Sequence, residues 1–196
     1  PSNMQGWGFC TPSDNLIEFF ESRGEVIRPA TTLLYRGTMT PEGDSIKNKC
    51  TNPVYNGKVY TPSYYNNWNY NGYGFDHNIR ILRYSDVLLM HAEALVNGAA
   101  VPITSGITAD MAVNMVRERA GLENLTGVTI EQIWDERRAE LALEEDRFFD
   151  LIRTGQAKEA MSRVGKTFVE GKHEVYPIPA AQIQLNPNLT QNNGYN

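Results

Sequence analysis

Several common functions find little support in this sequence, because the residues that they require are scarce. The 196 residues carry 18 Lys and Arg against 23 Asp and Glu, without a basic run, so the sequence predicts no nucleic-acid surface. The apolar stretches are far shorter than the roughly 20 residues of a membrane-spanning helix. Two cysteines, Cys10 and Cys50, are too few for a disulfide framework. We expect two free thiols, with a single disulfide in an oxidising compartment as the alternative.

Metal and cofactor chemistry is also poorly supported. His77, His91 and His173 are scattered along the chain without a metal-binding spacing. The "GKTF" at residues 165–168 lacks the upstream glycine of a phosphate-binding loop. We therefore expect neither a metal nor a cofactor. The sequence starts without an initiator Met, a signal peptide or a lipid-accepting Cys, so we expect its start to be a cut in a longer protein.

The composition that is present divides the chain into three segments. Residues 1–78 hold most of the tyrosines and two of the three tryptophans among many Asn, Gly and Pro, which predicts a loop-rich segment with one short helix. Residues 79–161 are rich in Ala, Leu, Glu and Arg, which is typical of a helical block. Residues 162–196 form a Pro- and Asn-rich tail that we expect to pack on the helices.

Hydrophobic periodicity and capping signals predict the helices. The apolar spacing indicates a helix over residues 79–96, and Thr108 and Gly121 bound a second helix over residues 109–120. A third begins at a capping box formed by Thr129 and Gln132 and continues to about residue 145. Further helices are predicted over residues 12–22, with Ser13 as the cap, and over residues 148–153. Short connections favour an all-α fold of stacked helical hairpins, tetratricopeptide-like but without a clean repeat of about 34 residues.

The third helix carries a row of acids that needs an explanation. Glu136, Glu140 and Glu144 are each one helical turn apart. A glycoside hydrolase needs two carboxylates that face each other across a substrate, roughly 5–10 Å apart, and a row along one helix does not provide that. We interpret the acids as partners in ion pairs that hold adjacent helices together. The predicted pairs are Arg137 with Glu140 or Glu144, and Arg147 with Asp150.

Several motifs of the chain resemble the C-terminal half of the SusD/RagB family. They are "ILRYSDVLLMHAEALVNG", "VNMVRERAGL", "IWDERRAELALEEDRFFDLIRTG" and "YPIPAAQIQLNPNLTQNNGY", in the family's order, preceded by "GWGFCTPSDNLIEFFE". The resemblance implies a non-catalytic, tetratricopeptide-containing lipoprotein on the outer face of the outer membrane. Such a protein binds glycans and hands them to a TonB-dependent, SusC-like transporter. The family's N-terminal half, with its lipidated Cys, is absent here, so the resemblance puts the membrane anchor in that missing part and makes this sequence one fragment of a larger domain.

A glycan site needs flat aromatic platforms with planar polar groups at their edges. The stretch "VYTPSYYNNWNYNGYGFDHN", residues 59–78, interleaves aromatic residues with Asn on a loop that Pro62, Gly72 and Gly74 keep irregular. The resemblance, which implies a binding surface on loops before the helical block, adds Trp7. The predicted stacking residues are Trp68, Tyr64, Tyr65, Tyr70 and Trp7, and the predicted hydroxyl partners are Asn66, Asn67 and Asn69.

Other interpretations of the same residues stay open. The aromatic residues can instead cover the helices and pin a long loop, a role that we predict for Tyr73, Phe75 and Tyr84. A tetratricopeptide-like scaffold can bind a peptide or protein on exposed apolar or Asn-lined helix faces. A glycoside hydrolase fragment is the third alternative, and it would release reducing ends from glycans.

Overall fold

The computed structural model describes residues 12–65, 80–102 and 104–195. The chain divides into two compact units, residues 1–145 and 146–196. The first contains α1 Asp14–Ser22, α2 Ile27–Thr32, β1 Leu33–Tyr35, β2 Val54–Asn56, α3 Tyr84–Val96, α4 Ala109–Arg119 and α5 Ile130–Glu140. The second contains α6 Arg147–Arg153, α7 Ala157–Arg163 and α8 Ala180–Leu185. The prediction of an all-α fold is confirmed, and across the described residues no helix has both the length and the apolarity to cross a membrane. The division into three segments by composition stays a prediction.

Helices α3, α4 and α5 pack against one another around the main apolar core. Residues from all three helices are fully or almost fully buried because their apolar positions recur every three or four residues and so share one helix face. The buried members on the helices are Leu88, Leu89, Ala92, Ala112, Val113, Val116 and Ile133, and Val128 from the loop before α5 joins them. This core supports the loops of the first unit.

The predicted caps of α4 and α5 are confirmed. The Thr108 hydroxyl accepts a hydrogen bond from the backbone N–H of Met111 at 3.2 Å. The capping box is complete: Gln132 N–H donates to the Thr129 hydroxyl at 3.3 Å, and Thr129 N–H donates to the Gln132 side chain at 2.9 Å. Gly121 has the left-handed φ of 70° that ends a helix. These signals act within a few residues, and for that reason the sequence alone locates them.

Two helix boundaries differ from the prediction. Helix α3 begins at Tyr84 because Arg83 is extended, with φ −138° and ψ 161°, and Ile81, which precedes the helix, is 90% exposed. Tyr84 itself is 62% exposed, so the prediction that it packs on the helices is wrong. Helix α5 ends at Glu140 because Leu143 and Glu145, which follow it, have left-handed φ values of 64° and 74° that an α-helix cannot contain.

The segment before α3 contains structure that periodicity did not predict. The predicted helix over residues 12–22 is confirmed as α1, although Ser13 makes no side-chain cap hydrogen bond. Helix α2 and the antiparallel pair β1–β2 were missed, because a six-residue helix and two three-residue strands are too short for a periodic signal. Directly after β2, Gly57 packs closely on α2, where a Cβ atom would lie 2.2 Å from the Thr31 carbonyl oxygen. This hairpin leads directly into the aromatic stretch.

The second unit consists of short helices and a tail tied by amide side chains. Its core contains Leu151, Ala157 and Phe168. The predicted helix over residues 148–153 is confirmed as α6, which is followed by Gly155 with a left-handed φ of 71°, whereas α7 was missed. Gln191 holds the tail by accepting from Ile178 N–H at 2.8 Å and donating to the Ile178 carbonyl at 2.9 Å. The tail contains helix α8 directly after "PIP" at residues 177–179, and Gln191 ties the residues after α8 to Ile178. The packing of the tail on the helices stays a prediction.

Candidate functional site

The predicted glycan-binding residues are Trp7 and seven residues of the aromatic stretch, residues 59–78, which follows β2 in the sequence. Six of them fall outside the described residues: Trp7, Asn66, Asn67, Trp68, Asn69 and Tyr70. Tyr64 and Tyr65 belong to a 3-10 turn, Ser63–Tyr65, within the aromatic stretch. Tyr64 is 75% exposed, as an aromatic platform for a sugar ring has to be. The assignments stay predictions, and the described residues show how the Tyr64 turn is held.

Asp44 anchors the turn that presents Tyr64. Its Oδ2 atom accepts from the Ser63 backbone N–H at 2.7 Å and from the Tyr60 hydroxyl, and its Oδ1 accepts from the Ser63 hydroxyl. The Thr40 hydroxyl lies 3.1 Å from the Tyr60 hydroxyl. The hydrogen bonds from Ser63 and Tyr60 hold the Asp44 pKa below its ordinary value, because they stabilise the carboxylate. Burial and the Asp44 contact raise the pKa of Tyr60 to about 12.

A second anchor joins both sides of the aromatic stretch to the end of α5. Lys58, before the stretch, lies with Nζ 2.5 Å from Oε1 of Glu144. Arg83, after the stretch, lies with Nε 2.7 Å from Oε2 of the same carboxylate. Lys58 Nζ also donates to the Glu140 carbonyl oxygen at 2.5 Å. Burial would raise the pKa of Glu144, but hydrogen bonds from Arg83 and Lys58 outweigh that effect and lower it.

Glu136 is buried at the centre of an arginine cluster. Its Oε2 accepts from Arg23 at 2.7 Å and from Arg117 at 2.9 Å, and its Oε1 accepts from Arg28. The Glu136 side chain is only 1% exposed. Burial would raise the pKa of Glu136, but the positive charges of Arg28 and Arg23 prevail and lower it. These arginines come from α1's C-terminal turn, α2 and α4, so one carboxylate joins three helices to α5.

Glu140, one turn further along α5, repeats this arrangement. Its Oε1 accepts from Arg83 and Arg119, and its Oε2 lies 3.7 Å from Nη1 of Arg28. Its side chain is also 1% exposed. The neighbouring Arg137 donates to Asp86 on α3 at 2.6 Å. This pair differs from the sequence prediction, which gave Glu140 or Glu144 as the partner of Arg137. Asp150 of the second unit lies 2.8 Å from Arg153.

This arrangement decides between the two interpretations of the acid row. A general acid or nucleophile of a glycoside hydrolase has to reach the substrate, whereas the oxygens of Glu136 and Glu140 are buried against arginines. The interpretation of these acids as helix-to-helix ion pairs is therefore confirmed. Within the described residues no group of three or more His, Cys, Asp or Glu side chains is placed to hold a metal ion. Cys50 has a free thiol, and Cys10 lies outside the described residues.

Sequence reasoning missed Asp44, Tyr60 and Lys58. All three act through partners that are far away in sequence, with Lys58 and Glu144 separated by 86 positions. The one available signal was the turn chemistry of "PEGD" at residues 41–44 and "NG" at residues 56–57. Those turns locate the loops but do not identify what the side chains contact.

Comparison with known proteins gives one consistent result. The sequence matches the SusD family over residues 30–195. It is 34% identical over 133 residues to the SusD-like protein P38 of Formosa agariphila, an alignment that covers 61% of this chain and 25% of that protein. The chain therefore spans about a quarter of this curated relative.

Solved structures agree with the sequence match. The fold is similar to that of surface glycan-binding protein A from Bacteroides uniformis, with a TM-score of 0.72 and 25% identity, over 95% of this chain and 41% of that one. It is also similar to surface glycan-binding protein A from Bacteroides thetaiotaomicron, solved in complex with laminarihexaose. That likeness has a TM-score of 0.56 and 27% identity, and it covers 76% of this chain and 32% of the other.

Proposed function

The chain belongs to the SusD family, and from that premise we propose that it binds glycans, either oligosaccharides or polysaccharides, without cleaving them. The observation that carries the proposal is the similarity to a surface glycan-binding protein that holds laminarihexaose. The proposal concerns the class of ligand, since related folds can place different side chains on similar loops.

We assign the site to the aromatic stretch. Tyr64 supports this assignment, because its ring is exposed on a turn whose backbone is held by Asp44. An aromatic ring on a turn whose backbone is already held costs less conformational entropy to order when a sugar stacks on it. The remaining proposed stacking residues are Tyr65, Trp68, Tyr70 and Trp7, with Asn66, Asn67 and Asn69 as partners for the sugar hydroxyls.

The buried acids support binding without cleavage. Glu136 and Glu140 are the carboxylates most withdrawn from solvent on α5, and arginines surround both. Their charge stabilises the contacts between helices instead of facing a substrate. Incubation of the wild type with polysaccharides should therefore release no reducing ends. If the wild type released them and a Glu140→Gln variant did not, this part of the proposal would be overturned.

Family membership also supports a cellular role. We propose a place on the outer face of the outer membrane, through a lipid anchor outside this sequence, and delivery of the glycan to a TonB-dependent, SusC-like transporter. Co-purification of such a transporter with the affinity-tagged protein from outer membranes would test the partner. Its absence under conditions that recover other outer-membrane complexes would count against delivery.

Affinity electrophoresis through gels that contain single polysaccharides, laminarin among them, tests glycan binding. We expect retardation of the wild-type chain in at least one gel. Loss of one stacking ring, worth about 0.5–1.5 kcal/mol, should weaken binding by roughly 2- to 10-fold in Trp68→Ala and in Tyr64→Ala. Tyr176→Ala is a matched control, because Tyr176 is 83% exposed in the second unit. Migration of the wild type that is unchanged in every gel would refute the proposal.

One observation favours a second candidate, a peptide or protein partner. Tyr84, Val87 and Met90 are spaced by three residues on α3 and are 62%, 41% and 43% exposed. An exposed apolar stripe on a helix is the feature that a docking partner of a tetratricopeptide-like scaffold would use. Binding of a fluorescent amphipathic Leu/Lys peptide that Val87→Asp weakens and Trp68→Ala leaves unchanged would favour this candidate.

A further inference from the structure

Glu144 connects the two flanks of the aromatic stretch through one carboxylate. Lys58 precedes the stretch and Arg83 follows it, yet both reach Glu144 at 2.5–2.8 Å. Arg83 Nη2 and Lys58 Nζ also both donate to the Glu140 carbonyl oxygen, at 2.5 Å each. The Glu144 side chain and the Glu140 carbonyl group therefore set the distance between the two flanks, Lys58 on one side and Arg83 on the other.

The turn that presents Glu144 is strained on both sides. Leu143 and Glu145 have φ values of 64° and 74°, a region that residues with a Cβ atom seldom occupy. The Asn56 side chain donates to the Leu143 carbonyl at 3.1 Å, so the hairpin holds the turn in this conformation. Strain that neighbouring contacts maintain often marks a functional position. Here it aims the Glu144 carboxylate at Lys58 and Arg83.

Glu144 differs from the other acids of its row in exposure. Its side chain is 18% exposed, against 1% for Glu136 and Glu140. Glu136 joins helices of the core, and Glu140 pairs with Arg28, Arg119 and the flank residue Arg83, whereas Glu144 pairs with one residue on each flank, Lys58 and Arg83. Its removal should therefore loosen both flanks, which Glu140 still contacts, while leaving the core packed.

We propose that Glu144 is a positioning residue for glycan binding, which holds the flanks of the aromatic stretch at a fixed separation and so places Tyr64. The inference rests on the proposed glycan-binding function. Its direct partners are Lys58 and Arg83, and Glu144 itself need not touch the sugar.

Hydrogen–deuterium exchange tests the clamp without a ligand. In Glu144→Gln we expect exchange to accelerate by about tenfold in peptides that cover residues 57–65 and 80–90. Reporter amides in these peptides include Tyr60, which donates to the Gly57 carbonyl, and Val87, which donates to the Arg83 carbonyl. Ile133→Val is the control, because it removes a methylene from the core, where Ile133 is fully buried, without touching either flank. Equal acceleration over the whole first unit in both variants would overturn the clamp.

Two further variants keep the test decisive. Lys58→Gln breaks one side only, so exchange should accelerate in residues 57–65 and stay closer to wild type in residues 80–90. In the double variant Lys58→Gln/Glu144→Gln, exchange in residues 57–65 should be little faster than in Glu144→Gln, because the effects of two substitutions that remove the same interaction do not add. Full additivity would overturn the role of Glu144 in that flank.

The binding arm uses the same variants with laminarin, or with the first polysaccharide that retards the wild type. We expect Glu144→Gln to weaken retardation by several-fold at a temperature where the variant is fully folded, and Ile133→Val to leave it unchanged. Faster flank exchange with unchanged retardation would overturn the positioning role. If the wild type binds no polysaccharide, the proposed function fails, and the exchange experiment still reports on the clamp by itself.

Discussion

Replacing Glu136 by Gln tests whether the arginine cluster stabilises the first unit. The change keeps the size of the side chain and removes its negative charge. Arg23, Arg28 and Arg117 would then lose their shared partner. Arg28 suffers most, because its side chain is only 6% exposed and water cannot replace the lost contact.

The expected magnitude follows from burial. Breaking a buried ion pair costs about 3–5 kcal/mol. Two features reduce this figure: the side chains of Arg23 and Arg117 are 18% and 13% exposed, and Arg28 Nε keeps Glu25 at 2.9 Å. We therefore expect a loss of about 3 kcal/mol in the free energy of unfolding. For a chain of this size that corresponds to a decrease in Tm of roughly 6–12 °C.

Urea unfolding followed by circular dichroism measures this loss, provided that the slope of the transition is unchanged. Glu159→Gln is the matched control, since Glu159 pairs with Arg163 at 2.5 Å and both side chains are largely exposed, 71% and 65%. That variant should unfold like the wild type. A loss below about 1 kcal/mol for Glu136→Gln would refute the reasoning, because an ion pair on the surface contributes no more than that.

Two other predictions follow from the same contacts. Arg137→Ala should lower Tm by several degrees in a thermal scan, because it breaks the ion pair between Arg137 and Asp86, whose side chains are 7% and 14% exposed. Breaking a pair that is buried to this extent costs about 1–3 kcal/mol. An unchanged Tm would contradict this role. Acid should destabilise the chain, because the pKa values of Glu136 and Glu144 lie below their ordinary value of 4.5. Their contribution is complete above about pH 4.5 and is lost as the pH falls through the lowered pKa values. Urea midpoints from pH 7 to pH 3 should therefore decline more in the wild type than in a Glu136→Gln/Glu144→Gln variant, and parallel declines would contradict this origin.

The sequence predicts those features of the fold that depend on near neighbours. Thr108, Thr129 with Gln132, and Gly121 were located correctly, because a cap involves residues at most a few positions apart. The acids of α5 were also interpreted correctly as structural, since Glu136 and Glu140 lie one turn apart on the helix and cannot face each other across a substrate. The family resemblance came from the order of motifs and is confirmed by the match over residues 30–195.

The partners of the charged residues could not be predicted in the same way. Arg23 and Glu136 are 113 positions apart, and Lys58 and Glu144 are 86 apart. Side-chain spacing carries no information on such pairs, so Arg137 was predicted within its own helix and contacts Asp86 on α3 instead. The end of α5 was missed for a related reason. Leu143 and Glu145 adopt left-handed conformations that their own preferences disfavour and that a contact from Asn56 helps to maintain.

The acids of α5 and of the turn that follows it combine stability and site placement. Glu136 and Glu140 lie on α5 and are buried, whereas Glu144 lies in the turn after the helix and is partly exposed. A change at Glu136 should therefore lower global stability, whereas a change at Glu144 should act on the loop flanks. If both substitutions produced the same uniform loss of stability, the three acids would form a single structural unit, and Glu144 would have no separate role in placing Tyr64.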